Sequence, residues 1–387
     1  MPIEALSPYE VATGFPLGTE AVHGTWPSLG RVGAHGVTRP LQVLRSIVLE
    51  GLRRPPCLVL FSGGRDSSAL LALAAHVARD QGLDLPVPLT VFFPGEAETE
   101  EGPWQELVVR SLGLSDWERC DGSQDADLLG PVARQVLRRY GVIWSPLLAT
   151  RARYFSLATG GSLLSGEGGD EVFGPRRARA LSGLARVRRP WQAAHLARSS
   201  LASMLPRPWR RGRIRQHLAQ SLGLEWLRPA VRDDFLEGSA AQWADEPLAW
   251  GRSVKWLTSC RHVRLSVANM AGLASEADVF FAAPFLGPGF LDVLASAFGP
   301  LGPENRSAAM RALFGPLLPE ALLARRSKAV FTLPAWGPWT KEFIANWGGD
   351  GIDDNLVDVE ALRRHWAGER PSAMTFGLVQ QAWLLTR

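Results

Sequence analysis

Short apolar runs alternate with helical patterns through the first half of the chain. The apolar runs cover 57–61, 88–93, 117–120 and 162–164, and the helical patterns cover 67–78, 104–112, 125–140 and 146–158. Each run has the length of a strand that is buried on both faces of a sheet. Repeated strand–helix units of this length predict an α/β fold with a doubly wound parallel sheet. From about residue 255 the pattern is mainly helical and predicts a helical C-terminal lobe.

Strand order decides where such a sheet binds a ligand. If the strands lie in the order 3-2-1-4-5, the first and fourth are neighbours and the switch point falls between their carboxyl ends. Ligands of open α/β sheets bind in that crevice. The segments that follow the first and fourth apolar runs are therefore the candidate binding loops.

The first of these segments reads SGGRDSS at residues 62–68, called here the first glycine loop. Its glycines let the backbone approach a ligand closely, and the helix that follows presents N–H groups and a positive dipole end to an anion. No Gly-Lys-Ser/Thr follows, so the segment differs from a Walker loop. Its hydroxyls and the Asp66 carboxylate suit a pyrophosphate with magnesium. The alternative is a tight turn with capping serines.

The second segment lies in 163–174, LLSGEGGDEVFG, where residues 165–170 form the second glycine loop. This stretch carries three carboxylates, Glu167, Asp170 and Glu171, which repel one another unless they are solvated or share a cation. Taken alone, it could equally be a solvated acidic loop. Its position after the fourth apolar run places it beside the first glycine loop.

The two motifs in this order, SGGxDS and SGEGxDE, resemble the synthetase domain of the asparagine synthetase family. That family belongs to the PP-loop ATP pyrophosphatases, whose sheet is of the adenine nucleotide alpha hydrolase-like type. The resemblance covers about 45–340 and implies ATP and Mg²⁺ as cofactors. It also implies that a carboxylate is adenylated, with release of pyrophosphate, and then transferred to an amine with release of AMP. The implied nucleotide-binding residues are Ser62, Gly63, Gly64, Asp66, Ser67, Ser68, Gly166, Gly168 and Gly169, and the implied metal ligands are Asp66 and Asp170.

Two further residues acquire catalytic roles through the same resemblance. The sequence RRSKAVFTLP matches the family pattern R-x-K-x-x-F-x-x-P and aligns Lys328 with its catalytic lysine, although a lone lysine is ordinarily a solvated surface residue. Glu167 matches the glutamate of asparagine synthetases and would orient or deprotonate the amine. β-Lactam synthetases use a tyrosine at that position together with a second glutamate. No clear counterpart of that glutamate occurs near 261–266, which argues against β-lactam closure.

The chain departs from the family at the charged positions that would bind the carboxylate substrate. The family stretch E-x-R-x-PFLD becomes Phe280, Ala282 and Gly287 at its three charged positions. A pocket without those charges would hold aspartate poorly. The first hypothesis is therefore an AMP-forming amide ligase of peptide or specialised-metabolite biosynthesis, similar to lasso-peptide cyclases. The second is an ammonia-dependent asparagine synthetase, and the third is a degenerate, non-catalytic binding protein.

Three regions are expected along the chain. Residues 1–45 form an extended N-terminal arm, 46–340 the synthetase domain, and 341–387 a helical cover over the site. A basic helical insertion spans about 175–255, since no acidic residue occurs between Glu171 and Glu225 while arginine occurs about a dozen times. That charge predicts either helices with a solvated basic face or a cradle for an acidic peptide, a carrier or a nucleic acid.

Composition limits which binding partners and which cellular compartment the sequence predicts. The 387 residues are 46% hydrophobic and 21% charged, and their net charge of +4 does not demand a nucleic-acid partner. The N-terminus lacks a signal-peptide pattern, no apolar run is long enough to span a bilayer, and three scattered cysteines (Cys57, Cys120, Cys260) suit a reducing cytoplasm. Too few residues precede the first glycine loop for a glutaminase domain. The amine is therefore expected to be free ammonia or part of a second substrate, including a peptide or one supplied by a partner protein.

Overall fold

The computed structural model describes residues 2–19, 39–95, 99–179, 181, 200–325 and 333–386. Its sheet has five parallel strands: β1 (Cys57–Leu60), β2 (Val87–Phe92), β3 (Glu118–Asp121), β4 (Ser162–Leu164) and β5 (Phe280–Ala282). They lie in the order β3-β2-β1-β4-β5. The α/β fold class, the parallel sheet and the strand order are therefore confirmed. The expected order included a fifth strand without a sequence range, and the structure places that strand, β5, at Phe280–Ala282.

Helices cover both faces of this sheet and build the C-terminal lobe. They are α1 (Pro8–Thr13), α2 (Pro40–Leu52), α3 (Arg65–Gln81), α4 (Gly102–Ser111), α5 (Pro131–Tyr140), α6 (Ala152–Phe155), α7 (Gly169–Phe173), α8 (Arg207–Ser221), α9 (Pro229–Ala244), α10 (Trp250–Thr258), α11 (Arg261–Glu276), α12 (Pro288–Phe298), α13 (Arg306–Phe314), α14 (Glu320–Ala324), α15 (Pro338–Asn346), α16 (Val359–Trp366) and α17 (Phe376–Leu385). Short 3₁₀ turns at Pro146–Arg151 and Ser156–Ala158 flank α6.

Alternate residues of β1 face opposite sides of the sheet. Val59 belongs to a core cluster with α2, α3 and α12, whereas Leu58 packs in a second cluster with α5, α6 and α11. Both side chains are buried, and the neighbouring Leu163 of β4 is fully buried. A strand that is buried on both faces requires a continuous apolar run, which is the pattern that the sequence shows.

The helix expected over 125–140 begins only at Pro131. Pro131 suits the first turn of a helix, and the preceding residues form a loop around Asp127. The Asp127 carboxylate accepts hydrogen bonds from the backbone N–H groups of Leu129 (2.9 Å) and Trp339 (2.8 Å). These bonds fix the loop against α15 instead of allowing another helical turn.

The N-terminal arm differs from the extended chain that its composition suggested. Residues Pro8–Thr13 form α1, with a capping box between Ser7 and Glu10, and α2 already crosses position 45. The arm is held on the core, because Arg261 of α11 contacts both Glu10 and Glu4 at 2.6 Å. Residues 20–38 of the arm lie outside the described residues.

The described part of the basic insertion is helical, and part of its charge is neutralised. Arginines on one face of α8 meet carboxylates of α9 and the residue after it. The pairs are Arg207–Asp245, Arg211–Glu237 and Arg215–Glu237. This face of α8 is consequently engaged by the protein itself. Across the part of the chain that the structure describes, no helix combines the length and the apolar character needed to cross a membrane.

Candidate active site

A cavity of about 460 Å³ opens at the carboxyl ends of β1 and β4, where the sheet changes winding direction. Both glycine loops line it, as the topology requires. The lining residues from the two loops include Ser62, Gly64, Asp66, Gly166, Glu167 and Asp170. The structure thus brings together most of the side chains that the sequence indicated.

The first glycine loop is closed on itself by Ser67. Its hydroxyl contacts the Ser62 N–H and the Ser62 hydroxyl, both at 3.2 Å, and donates to the Gly64 carbonyl at 3.1 Å. Gly63 has φ +81°, and a Cβ there would lie 2.8 Å from the Gln105 Cγ. Ser68 behaves differently, because it is fully buried within α3 and is not part of the cavity wall.

The second glycine loop needs glycines because it touches the first loop. A Cβ at Gly169 would lie 2.3 Å from the Asp66 Cγ, and one at Gly166 would lie 3.1 Å from the Ser67 backbone nitrogen. Gly168 adopts φ +89°, and a Cβ there would collide with Leu286. These residues therefore set the close approach of the two loops.

Asp66 and Asp170 converge on one cation. The guanidinium of Arg306, the first residue of α13, donates one N–H to each of the two carboxylates. Burial opposes the charged form of Arg306, but the two carboxylates outweigh it and raise the pKa of Arg306. Sequence reasoning did not find this residue, since it lies 240 positions from Asp66 and belongs to no motif considered.

The donor set fits a magnesium ion that is shared with phosphates. Among the described residues, no group of three or more His, Cys, Asp or Glu side chains forms a self-sufficient metal site. Mg²⁺ in nucleotide sites is commonly held by one or two carboxylates, with phosphate oxygens and water completing its shell. Asp66 and Asp170 already share one positively charged group, so they suit this arrangement.

A buried ion pair contacts the first glycine loop. Arg325 pairs with Glu101, and both side chains are only 4% exposed. Arg325 also donates to the Gly63 carbonyl at 3.2 Å and lies over the ring of Trp104. Because a charge this deeply buried is costly without its partner, the pair holds Arg325 against the first glycine loop. Arg325 directly precedes the lysine motif, but its partner could not be read from the sequence.

Lys328 lies outside the described residues, within 326–332. Arg325, three positions earlier, contributes to the wall of the cavity. The catalytic role of Lys328 therefore stays a prediction.

Glu167 lines the cavity, and its surroundings favour the protonated form of its carboxyl group. Ser266 of α11 donates to its carboxylate at 3.3 Å, and Arg151 lies on the same cavity wall. Burial raises the pKa of Glu167, against the opposing effects of Arg151 and the Ser266 hydroxyl. Ser266 falls in the segment where the sequence showed no second glutamate.

Glu171 lies on α7, and burial disfavours the ionised form of its carboxyl group as well. Loss of solvent and the nearby Glu167 raise the pKa of Glu171 to about 7. In the folded protein it therefore keeps its proton up to that pH, whereas in the unfolded chain it ionises near 4.5. Raising the pH from 5 to 8 must then favour unfolding.

We expect Glu171→Gln to relieve this pH dependence. The free energy of unfolding of the variant minus that of the wild type should be larger at pH 8 than at pH 5. The increase should be about 1–2 kcal/mol after allowing for partial solvation. Urea unfolding followed by circular dichroism at the two pH values measures it. Glu106→Gln, an exposed glutamate of α4, is the control and should show the same difference at both. An unchanged difference for Glu171→Gln would mean that this carboxyl ionises normally.

No charged side chain is offered to a substrate by the three residues at these positions, Phe280, Ala282 and Gly287. The Phe280 ring lies under the guanidinium of Arg54 at 4.2 Å, and Ala282 is buried in β5. The Ala282 carbonyl accepts from the Ser165 N–H at 2.9 Å, which joins β5 to the start of the second glycine loop. Gly287 precedes α12 as its N-cap.

The doubly wound parallel sheet, with both glycine loops at its switch point, defines a synthetase fold of the PP-loop type. The family model for asparagine synthase matches residues 44–385, and the chain belongs to this family. The family comprises ATP-dependent ligases that form amide bonds from carboxylate and amine substrates and typically use Mg²⁺. No curated protein sequence gives a significant match to the chain.

Proposed function

We propose that this protein adenylates a carboxylate and transfers it to an amine in peptide or specialised-metabolite biosynthesis, with lasso-type macrolactam formation as one form of this reaction. The convergence of Asp66 and Asp170 beside the first glycine loop is the observation that carries the proposal. A non-catalytic binding protein has no need of two carboxylates that share one cation at a nucleotide-type loop. That alternative is therefore the weakest of the three.

The composition of the cavity wall supports a substrate less polar than aspartate. Besides the glycine loops and their charges, the wall includes the apolar or aromatic side chains of Leu147, Leu148, Tyr154, Phe155 and Met270. Such a wall favours apolar groups by burying them from water. A peptide segment with a reactive carboxylate fits a wall that combines charged loops with apolar side chains.

In the proposed adenylation, the backbone N–H groups of the first glycine loop and the hydroxyls of Ser62 and Ser67 hold the β- and γ-phosphates. A carboxylate oxygen of the substrate attacks the α-phosphorus, and the bond to the bridging oxygen breaks, so that its electron pair leaves with pyrophosphate. Asp66 and Asp170 would hold magnesium, which would offset the charge on that leaving group. Lys328 stabilises the charge that develops at the reacting phosphate.

In the proposed amide-forming step, Glu167 orients the amine and accepts its proton. The amine nitrogen attacks the acyl carbon, and AMP leaves with the electron pair of the broken C–O bond. The raised pKa of Glu167 makes it a better proton acceptor than an ordinary glutamate, provided that the pH keeps it ionised.

The reaction products test this function. The protein is incubated with ATP, Mg²⁺ and a panel of carboxylic acids and peptides, with and without ammonia, and phosphorus NMR follows the nucleotide. AMP and pyrophosphate in equal amounts, dependent on a carboxylate, support the proposal. ADP and orthophosphate, or no turnover with any member of the panel, would contradict it.

An ammonia-dependent asparagine synthetase is the second candidate. It is favoured by Arg151, whose position on the cavity wall near Glu167 suits a substrate carboxylate. In the same assay, conversion of aspartate and ammonia to asparagine at a rate above that of every peptide in the panel would select this candidate over the first.

For Glu167→Gln we expect amide formation to fall by about 10²–10⁴-fold while carboxylate-dependent pyrophosphate release persists. The wild-type rate should decline on the acid side as Glu167 takes up a proton, at a pH above the ordinary range of glutamate because its pKa is raised. The variant should lack that decline. Single-turnover assays from pH 5 to 9 measure both effects, with Glu106→Gln as the control. Retention of the acid-side decline in Glu167→Gln would assign it to another group.

A further inference from the structure

A second cavity of about 620 Å³ adjoins the first glycine loop at Arg65, and its wall is basic. Among the described residues, six arginines and one carboxylate, that of Glu304, line it. The arginines are Arg65, Arg176, Arg179, Arg306, Arg311 and Arg325. Three of them, Arg65, Arg306 and Arg325, also line the first cavity, so the two cavities share a wall at the phosphate end of the site.

Only part of this charge is held in close ion pairs among the described residues, although Glu171 and Glu246 lie near enough to act on Arg176, and Asp66 and Asp170 on Arg65. Arg306, Arg311 and Arg325 pair with carboxylates. For Arg65, Arg176 and Arg179, by contrast, no ion pair is formed with any carboxylate of the described chain. Arg65 donates to the Ser307 hydroxyl at 3.0 Å. Burial together with the neighbouring Arg306 lowers the pKa of Arg65, as expected where like charges crowd.

An anion would relieve this crowding. Guanidinium groups match phosphate oxygens with paired N–H donors, and several of them around one space favour a polyanion over a single carboxylate. The N-terminus of α13 adds a favourable dipole, since Asn305 and Ser307 belong to the same wall.

We propose that the second cavity binds the inorganic pyrophosphate formed in the adenylation and passes it to solvent. This inference rests on the proposed function. Its occupant is chosen by position, because Arg65 of the first glycine loop lines both cavities, whereas Leu147 and Met270 line the first cavity alone. Pyrophosphate would leave through the basic side without crossing the acyl group, which stays in the first cavity for the amine.

The test separates the two cavities by filling the first. Wild-type protein is saturated with α,β-methylene-ATP and Mg²⁺, which occupy the first glycine loop and cannot release pyrophosphate, and is then titrated with inorganic pyrophosphate by calorimetry. We expect one further equivalent to bind. Arg176→Gln/Arg179→Gln, which changes residues of the second cavity alone, should weaken that binding by about tenfold or more.

The control is Arg110→Gln/Arg213→Gln, which removes the same charge from exposed positions on α4 and α8 and should bind pyrophosphate like the wild type. Absence of binding to the saturated wild type, or equal weakening in the control, would overturn the proposal. Displacement of pyrophosphate by a lower concentration of hexaglutamate would overturn it in favour of an acidic peptide.

Failure of the proposed function has a different signature. In that case no carboxylate supports pyrophosphate release, or the ATP analogue does not bind. Pyrophosphate titrated into the analogue-free protein should then still respond to Arg176→Gln/Arg179→Gln and not to the control. If that response is also missing, the second cavity is not a pyrophosphate site.

Discussion

Asp66→Asn and Asp170→Asn should each reduce carboxylate-dependent pyrophosphate release by on the order of 10²–10³-fold. Asparagine keeps the size of the side chain but removes the negative charge that both Arg306 and a magnesium ion require. The loss should fall on turnover more than on ATP binding, because the backbone of the first glycine loop still contacts the phosphates. Initial rates over a range of Mg²⁺ and ATP concentrations measure it.

Asp80→Asn provides the matched control for Asp66→Asn. Asp80 lies on the same helix, α3, and pairs with Arg45 at the surface, but far from the cavity. Its replacement should leave the rate within about twofold, since exposed ion pairs contribute little. Wild-type pyrophosphate release by folded Asp66→Asn would remove the shared metal from the mechanism.

Lys328→Ala should also have a large effect, a loss of about 10²–10³ in the rate of adenylation. A single positive charge that contacts the transition state and not the free substrate affects turnover, so the dissociation constant of ATP should change much less. Rapid-quench measurement of AMP formation, together with ATP binding by calorimetry, separates the two quantities.

The chain offers a close control for this variant. It has only three lysines, and Lys341→Ala removes an exposed one on α15. That variant should adenylate at the wild-type rate. If Lys328→Ala also does so, Lys328 has no part in the reaction, whatever motif it occupies.

The sequence predicted the sheet because its signals are local. A strand that is buried on both faces must be apolar throughout, and residues 57–61 show this without knowledge of any neighbour. The same holds for the glycine loops, where Gly63 and Gly168 are demanded by positive φ values. With the strand order known, the contact between Asp66 and the second glycine loop follows from topology.

The residues that sequence reasoning missed depend on contacts between distant parts of the chain. Arg306 meets Asp66 across 240 positions, and Arg325 meets Glu101 across 224. One arginine among the 39 of the chain has no local pattern that identifies its partner. The charge of the basic insertion shows the same limit, because residues 172–224 contain no acid, while the carboxylates that neutralise Arg211 and Arg215 lie further along the insertion, on α9.

A crystal structure with Mn²⁺ and α,β-methylene-ATP tests the central claim most directly. The account predicts an anomalous peak for manganese between the carboxylates of Asp66 and Asp170, with the nucleotide phosphates on the first glycine loop and Arg306 no longer bridging the two carboxylates. Manganese bound elsewhere, or a nucleotide outside the first cavity with the Arg306 bridge intact, would contradict it.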